Sequence, residues 1–206
     1  MRIVNNKIYI VRGETPTYTA SIIDKDTGAP LIIDKGVFAE KPDGTQVSTL
    51  ILEFVVRKSA YSRDEDIALK YNLLLGRDVS YHAFDDDIIK EYKGVPEFVD
   101  GRFVWNDDWT PEAGDENRLH RYTDNNEHYY LYYENGSWHD YEFTFNVTFS
   151  YDDTSVLEPK TYQYEITLLG GVLKTNYAKW ETVVRPSYKK PLLGLTDFIV
   201  EGSISE

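Results

Sequence analysis

No cysteine occurs among the 206 residues, so the chain has no disulfide framework, no thiolate metal site and no thiol nucleophile. That absence suits a protein made and used in a reducing cytosol. Basic residues are outnumbered: 22 Lys and Arg stand against 35 Asp and Glu, for a net charge of −13 and a pI near 4.7. A surface of that sign repels phosphate backbones, which argues against nucleic acid as a partner. Long apolar runs are also missing, and the opening Met1-Arg2-Ile3-Val4-Asn5-Asn6 lacks the apolar stretch of a signal peptide. Neither a membrane span nor secretion by the usual route is expected. Helix signals are sparse. Asp85-Asp86-Asp87 ahead of Ile88-Ile89-Lys90-Glu91-Tyr92 predicts one short helix, with acids at its positive end and Lys90 towards its negative end.

What the chain has is aromatics, 15 % of its residues, with 17 tyrosines, and a hydrophobic period of two. That period sends alternate side chains to opposite faces of a strand. Tyr18, Ala20 and Ile22 alternate with polar residues, as do Leu52, Phe54 and Val56. The longest alternation runs through Tyr141, Phe143, Phe145, Val147, Phe149 and Tyr151. Tyr162, Tyr164, Ile166 and Leu168 repeat it, and Phe198, Val200 and Ile204 carry it onward. Asp26-Thr27-Gly28, Pro42-Asp43-Gly44, Asn135-Gly136 and Gly170-Gly171 read as turns, since Gly and Asn accept positive φ. Short strands bounded by such turns predict an all-β fold, an antiparallel β-sandwich of immunoglobulin-like type. Residues 1–75 and 140–206 form the expected sandwich. Residues 76–139 lose the alternation and read as a decorated insertion with small hairpins, one pairing His128–Glu134 with Ser137–Tyr141.

Chemistry-bearing constellations are few. Asp24, Asp26 and Gly28 resemble the start of a calcium loop, but Lys35 stands where the closing Glu belongs, and a plain turn accounts for the segment. Asp85–Asp87 and Asp152-Asp153 read as solvated loops. His82, His120, His128 and His139 lack metal-ligand spacing, and neither a serine elbow nor a phosphate-cradling glycine loop is present. No metal, no cofactor and no catalytic residue is expected. Asp107, Asp108 and Glu112 beside Trp105 and Trp109 leave a carboxylate-pair glycan hydrolase as a minor alternative. Trp105, Trp109, Tyr130, Tyr132 and Trp138 are candidate partner-binding aromatics, with Tyr129 and Tyr133 sharing the opposite strand face with Leu131. Packing beneath the insertion is the competing account of the same rings. Arg185-Pro186-Ser187-Tyr188-Lys189-Lys190-Pro191 reads as a basic arm or linker in an acidic chain, with Arg185, Lys189 and Lys190 able to dock on an acidic neighbour, and a plain surface loop is the competing account.

The opening Ile8-Tyr9-Ile10-Val11-Arg12-Gly13-Glu14-Thr15, the strand Tyr18–Ile23 and the turn Asp24–Ile32 resemble the N-terminal immunoglobulin-like domain of tailed-phage baseplate upper proteins. Leu52–Arg57, Tyr162–Ile166 and the closing Thr196–Gly202 echo that family's later strands, while the central insertion departs from its pattern. The resemblance implies a virion structural protein of tail, collar, baseplate or capsid decoration. Such a protein is made in the infected bacterium's cytoplasm and contacts other virion proteins and copies of itself. It carries over no individual functional residue. The alternative from another class is a carbohydrate-binding or host-attachment module that uses the surface aromatics.

Overall fold

The computed structural model describes residues 2–38, 49–60, 66–175 and 181–202. The fold is all-β, as the alternation predicts. In chain order the strands are β1 Arg2–Val4, β2 Lys7–Val11, β3 Thr17–Ser21, β4 Ile33–Asp34, β5 Thr49–Arg57, β6 Ile67–Leu74, β7 Val79–Ser80, β8 Ala83–Phe84 and β9 Lys90–Glu91. They continue as β10 Glu97–Val99, β11 Arg102–Val104, β12 His120–Asp124, β13 Glu127–Glu134, β14 Ser137–Asp140 and β15 Thr144–Thr148. Helix α1, Tyr151–Ser155, precedes β16 Thr161–Thr175 and β17 Glu181–Glu201.

The chain divides into two compact units. The first comprises Met1–Ala20, Glu40–Val79 and Phe145–Glu206, and its main sheet runs β1-β2-β17-β16-β5-β6. Pairing there is antiparallel except between β2 and β17. Register brings the apolar positions of adjacent strands into rows: Ile166 lies opposite Phe54, and Phe54 opposite Tyr71, while Tyr162 pairs with Phe198 and Phe198 with Ile8. A second sheet, β3-β15-β7, brings Tyr18, Phe145 and Val147 to the same core. Tyr18 and Phe149 each lie 6.0 Å from the Phe54 ring, and Phe149 lies 5.7 Å from Phe198. Aromatic edges therefore fill the space between two sheets.

The second unit comprises Ser21–Ala39 and Ser80–Thr144. Its four-stranded sheet is β14-β13-β12-β9, accompanied by the two-stranded sheets β10-β11 and β4-β8. The Asn135-Gly136 hairpin is present, both residues having positive φ (52° and 83°), as a two-residue turn between twisted strands requires. Asp26-Thr27-Gly28 is likewise a turn.

Several local expectations are corrected. Residues 85–89 form bends and coil leading into β9 rather than a helix, with Asp86 Oδ1 accepting from Ile88 N at 3.0 Å. An Asp that bonds the backbone two residues on favours a turn over a helix. The helix lies instead at Tyr151–Ser155, where alternation predicted continuing strand. Ser150 caps it, its hydroxyl accepting from Asp153 N while the Asp153 carboxylate reaches back to Ser150 N. That reciprocal cap makes Asp152-Asp153 the first turn of a helix and not a loop. Gly170-Gly171 lies within β16, at a register shift between Gly170 and Val172, so the glycines mark a bulge and not a turn. The Lys189–Pro191 stretch is neither a free arm nor a loop: it is part of β17 and pairs with Leu169, Leu168 and Thr167 of β16. The Pro42-Asp43-Gly44 turn, Ile204 and the Arg185 side chain lie outside the described residues.

Candidate functional site

The tyrosine-rich β13 organises the second unit. Leu131 is fully buried, and Tyr129 and Tyr133 share its face, as the period of two requires. Around Leu131 the core gathers Tyr92 and Trp138, with Trp105, Trp109, Tyr122 and Tyr133 packed against them. The Trp109 and Trp138 rings are parallel, 5.2 Å apart. Trp138 Nε1 donates to Trp109 O at 2.9 Å, and Trp138 N donates to Asp107 Oδ1 at 2.9 Å. Trp138 is only 6 % exposed. It is a core residue with both N–H groups engaged, which is the packing account of these aromatics. Trp109 is half-buried beside it.

The other face of β13 holds Tyr130 and Tyr132, both half-buried. Tyr132 stacks on His82 with ring centres 4.2 Å apart and meets Phe84 and Tyr141 edge-on. Burial pushes the His82 pKa below its ordinary 6.5. His120, almost fully buried, shows the same depression from burial, opposed by the Arg118 carbonyl and Asp115. In both, burial favours the neutral imidazole over the charged one.

Two of the three candidate acids near the tryptophans, Asp107 and Glu112, have partners. Asp107 accepts from Trp138, and Glu112 pairs with Lys93 at 3.0 Å on the surface. Asp24 Oδ1 accepts from Thr27 N at 2.8 Å, Thr27 Oγ1 at 2.9 Å and Asp26 N at 3.0 Å. These bonds, led by the Thr27 N–H, hold its carboxyl below the usual range. The carboxylate thus serves the turn through Oδ1, which takes all three donors. Among the described residues, no group of three His, Asp or Glu side chains converges as a metal site. Lys189 and Lys190 are exposed on β17.

One concave feature of this unit is a cleft of about 440 Å³ lined by Phe98, Phe103, Trp105, His128, Tyr129 and Tyr130, with Arg102, Asp140 and Glu142 as its charged groups and Ile23 and Pro30 also contributing. Trp105 Nε1 donates to Asp140 Oδ1 at 2.8 Å, fixing the indole against the carboxylate. Phe98 and Phe103 form a cross-strand pair, 5.1 Å apart, on the β10-β11 ribbon. Its turn is Asp100-Gly101, with φ of 50° and 78°. Sequence reasoning found Trp105 and Tyr130 but missed Phe98, Phe103 and Asp140. The Asp-Gly dipeptide between Phe98-Val99 and Arg102-Phe103 was the signal for that hairpin.

No described helix is long and apolar enough to cross a membrane. Compared with known proteins, the chain matches no protein-family model, no curated protein and no solved structure.

Proposed function

We propose that this chain is a structural component of a tailed-phage particle, an immunoglobulin-like sandwich that works through contacts with neighbouring subunits and carries out no catalysis. The resemblance of Ile8–Thr15 and the strands that follow it to baseplate upper proteins supplies the virion context. Strand order supports the sandwich type. Within the two sheets of the first unit, β3, β5, β6, β7, β15, β16 and β17 read in chain order as B, C, C′, D, E, F and G. The order β17-β16-β5-β6 is then G-F-C-C′, and β3-β15-β7 is B-E-D. A tyrosine corner supports it too: Tyr162, at the start of β16, accepts from Glu158 N at 3.0 Å through its hydroxyl. On this reading the second unit consists of insertions into the B–C and D–E connections.

The observation that carries the contact role is the outward face of the β10-β11 ribbon. Among the described residues β10 and β11 pair only with each other, and Val99 and Val104 are 47 % and 51 % exposed beside Glu97 and Arg102. Val95, just ahead of β10, is 81 % exposed. Apolar side chains clustered on a two-stranded ribbon are suited to burial in a neighbour, and a stable interface buries about 800 Å² per partner. Light scattering and negative-stain imaging of the wild type and of a Val99→Glu, Val104→Glu double variant test this. The wild type is expected to form symmetric oligomers or filaments, and the double variant to remain a folded monomer. A wild type that stays monomeric and enters no particle would sink the proposal, as would flanking reading frames devoted to sugar metabolism rather than portal, capsid or tail proteins.

A further inference from the structure

The inner face of the same ribbon presents a different chemistry from its outer face. Phe98 is 66 % exposed. Behind it Phe103 stacks on Trp105 at 5.6 Å and meets Tyr129 at 4.8 Å, so the exposed ring rests on a rigid aromatic platform. The cleft this platform lines has a volume within the range, roughly 300–1,000 Å³, of small-ligand sites.

The polar groups at the cleft are fixed or unengaged. Asp140 Oδ1 is held by the Trp105 indole, and no described hydrogen bond takes its second oxygen. Among the described residues, no hydrogen bond or ion pair engages the Arg102 guanidinium or the Glu142 carboxylate. His128 holds Thr123 Oγ1 through Nδ1 at 2.9 Å, and no described bond engages its Nε2. A phenyl ring left in water beside unengaged donors and acceptors suits a ligand with an apolar face and a polar edge. A pyranose ring has that form: C–H groups on its face, hydroxyls around its rim. Carboxylates accept strong hydrogen bonds from hydroxyls, and a guanidinium donates to them. Two carboxylates against one arginine, in a chain of net charge −13, disfavour acidic sugars.

We propose that this cleft binds a neutral oligosaccharide. One sugar ring stacks on Phe98 and the Phe103–Trp105 platform, while Asp140 and Glu142 take its hydroxyls. This role goes beyond the subunit contacts proposed above and does not depend on them, because Val99 and Val104 lie on the opposite ribbon face.

The test is calorimetric titration of the full chain with cello-, chito-, manno- and maltohexaose, with polygalacturonate as the acidic comparison. At least one neutral hexaose is expected to bind. Phe98→Ala and Glu142→Gln are each expected to weaken it about tenfold, the equivalent of roughly 1.4 kcal/mol, with an unaltered melting temperature because both side chains are exposed. Val99→Glu is expected to leave binding unaltered. Failure of all four neutral hexaoses at millimolar concentration overturns the proposal. So does preference for polygalacturonate, or binding that survives Phe98→Ala and Glu142→Gln undiminished. Loss of oligomers without loss of saccharide binding separates this site from the assembly surface.

Discussion

Phe145 has no contact with water, its ring 5.6 Å from Tyr18 between the two sheets of the first unit. Truncating it removes a large apolar surface and leaves a cavity that the surrounding strands cannot collapse to fill. Phe145→Ala is therefore expected to destabilise by about 3–5 kcal/mol in urea unfolding, and a change below about 1 kcal/mol would contradict its core position. Polar residues at the edge of that core are placed as deliberately. Tyr71 donates its hydroxyl to Asp153 Oδ2 at 2.7 Å. Burial and that carboxylate both push the phenol's pKa upward. For Asp153, burial alone would raise the pKa, but the Ser150 hydroxyl, the Tyr71 hydroxyl and Ser150 N together bring it below the ordinary range. One carboxylate thus closes a helix cap and anchors a sheet tyrosine.

At the scale of elements, two-residue turns set the hairpins of the second unit. Asn125-Asn126, Asn135-Gly136 and Asp100-Gly101 all have positive φ at both positions, the geometry that matches the right-handed twist of their strands. Gly136→Val places a β-branched side chain at φ 83°, where L-residues are strained by about 1–2 kcal/mol. The expected outcome is faster amide exchange across Ser137–Asp140, with exchange in β16 unaffected; equal protection of β14 in the variant would show that packing of Trp138, not the turn, holds the hairpin. Element errors in sequence reading share a cause. The acidic run at 85–87 and the glycine pair at 170–171 carry composition typical of a helix start and a turn. Their conformations are set by an Asx-type bond from Asp86 and by the neighbouring strands of β16.

For the molecule as a whole, the two units make different demands on the chain. Residues 21–39 belong to the same unit as 80–144, and Ala29 and Ile33 are buried within it. Replacing residues 81–143 by a Gly/Ser linker should leave the sandwich strands folded, since closure entropy grows only logarithmically with length. Ala29 and Ile33 then lose their cover. Far-UV circular dichroism is expected to retain its β signal while a hydrophobic dye binds the shortened chain, and shortening 22–38 as well should abolish the dye signal. Loss of the β signal in both would show that the first unit does not fold alone.

Alternation by itself determined the strands β3, β5, β15 and the first half of β16, because the faces of a strand follow from its own side chains. The Asn135-Gly136 turn was legible for the same local reason. Pairing was not. That β2 runs parallel to β17, joining Ile8 to Phe198, depends on residues far apart in the chain and on the register of every strand between them. Periodicity can put Trp138 and Phe98 on strand faces, yet only the tertiary structure buries the first and leaves the second in water. It also brings Gly28 and Pro30 to the same cleft as Arg102, His128 and Asp140. A binding site assembled from separate segments has no local period to announce it.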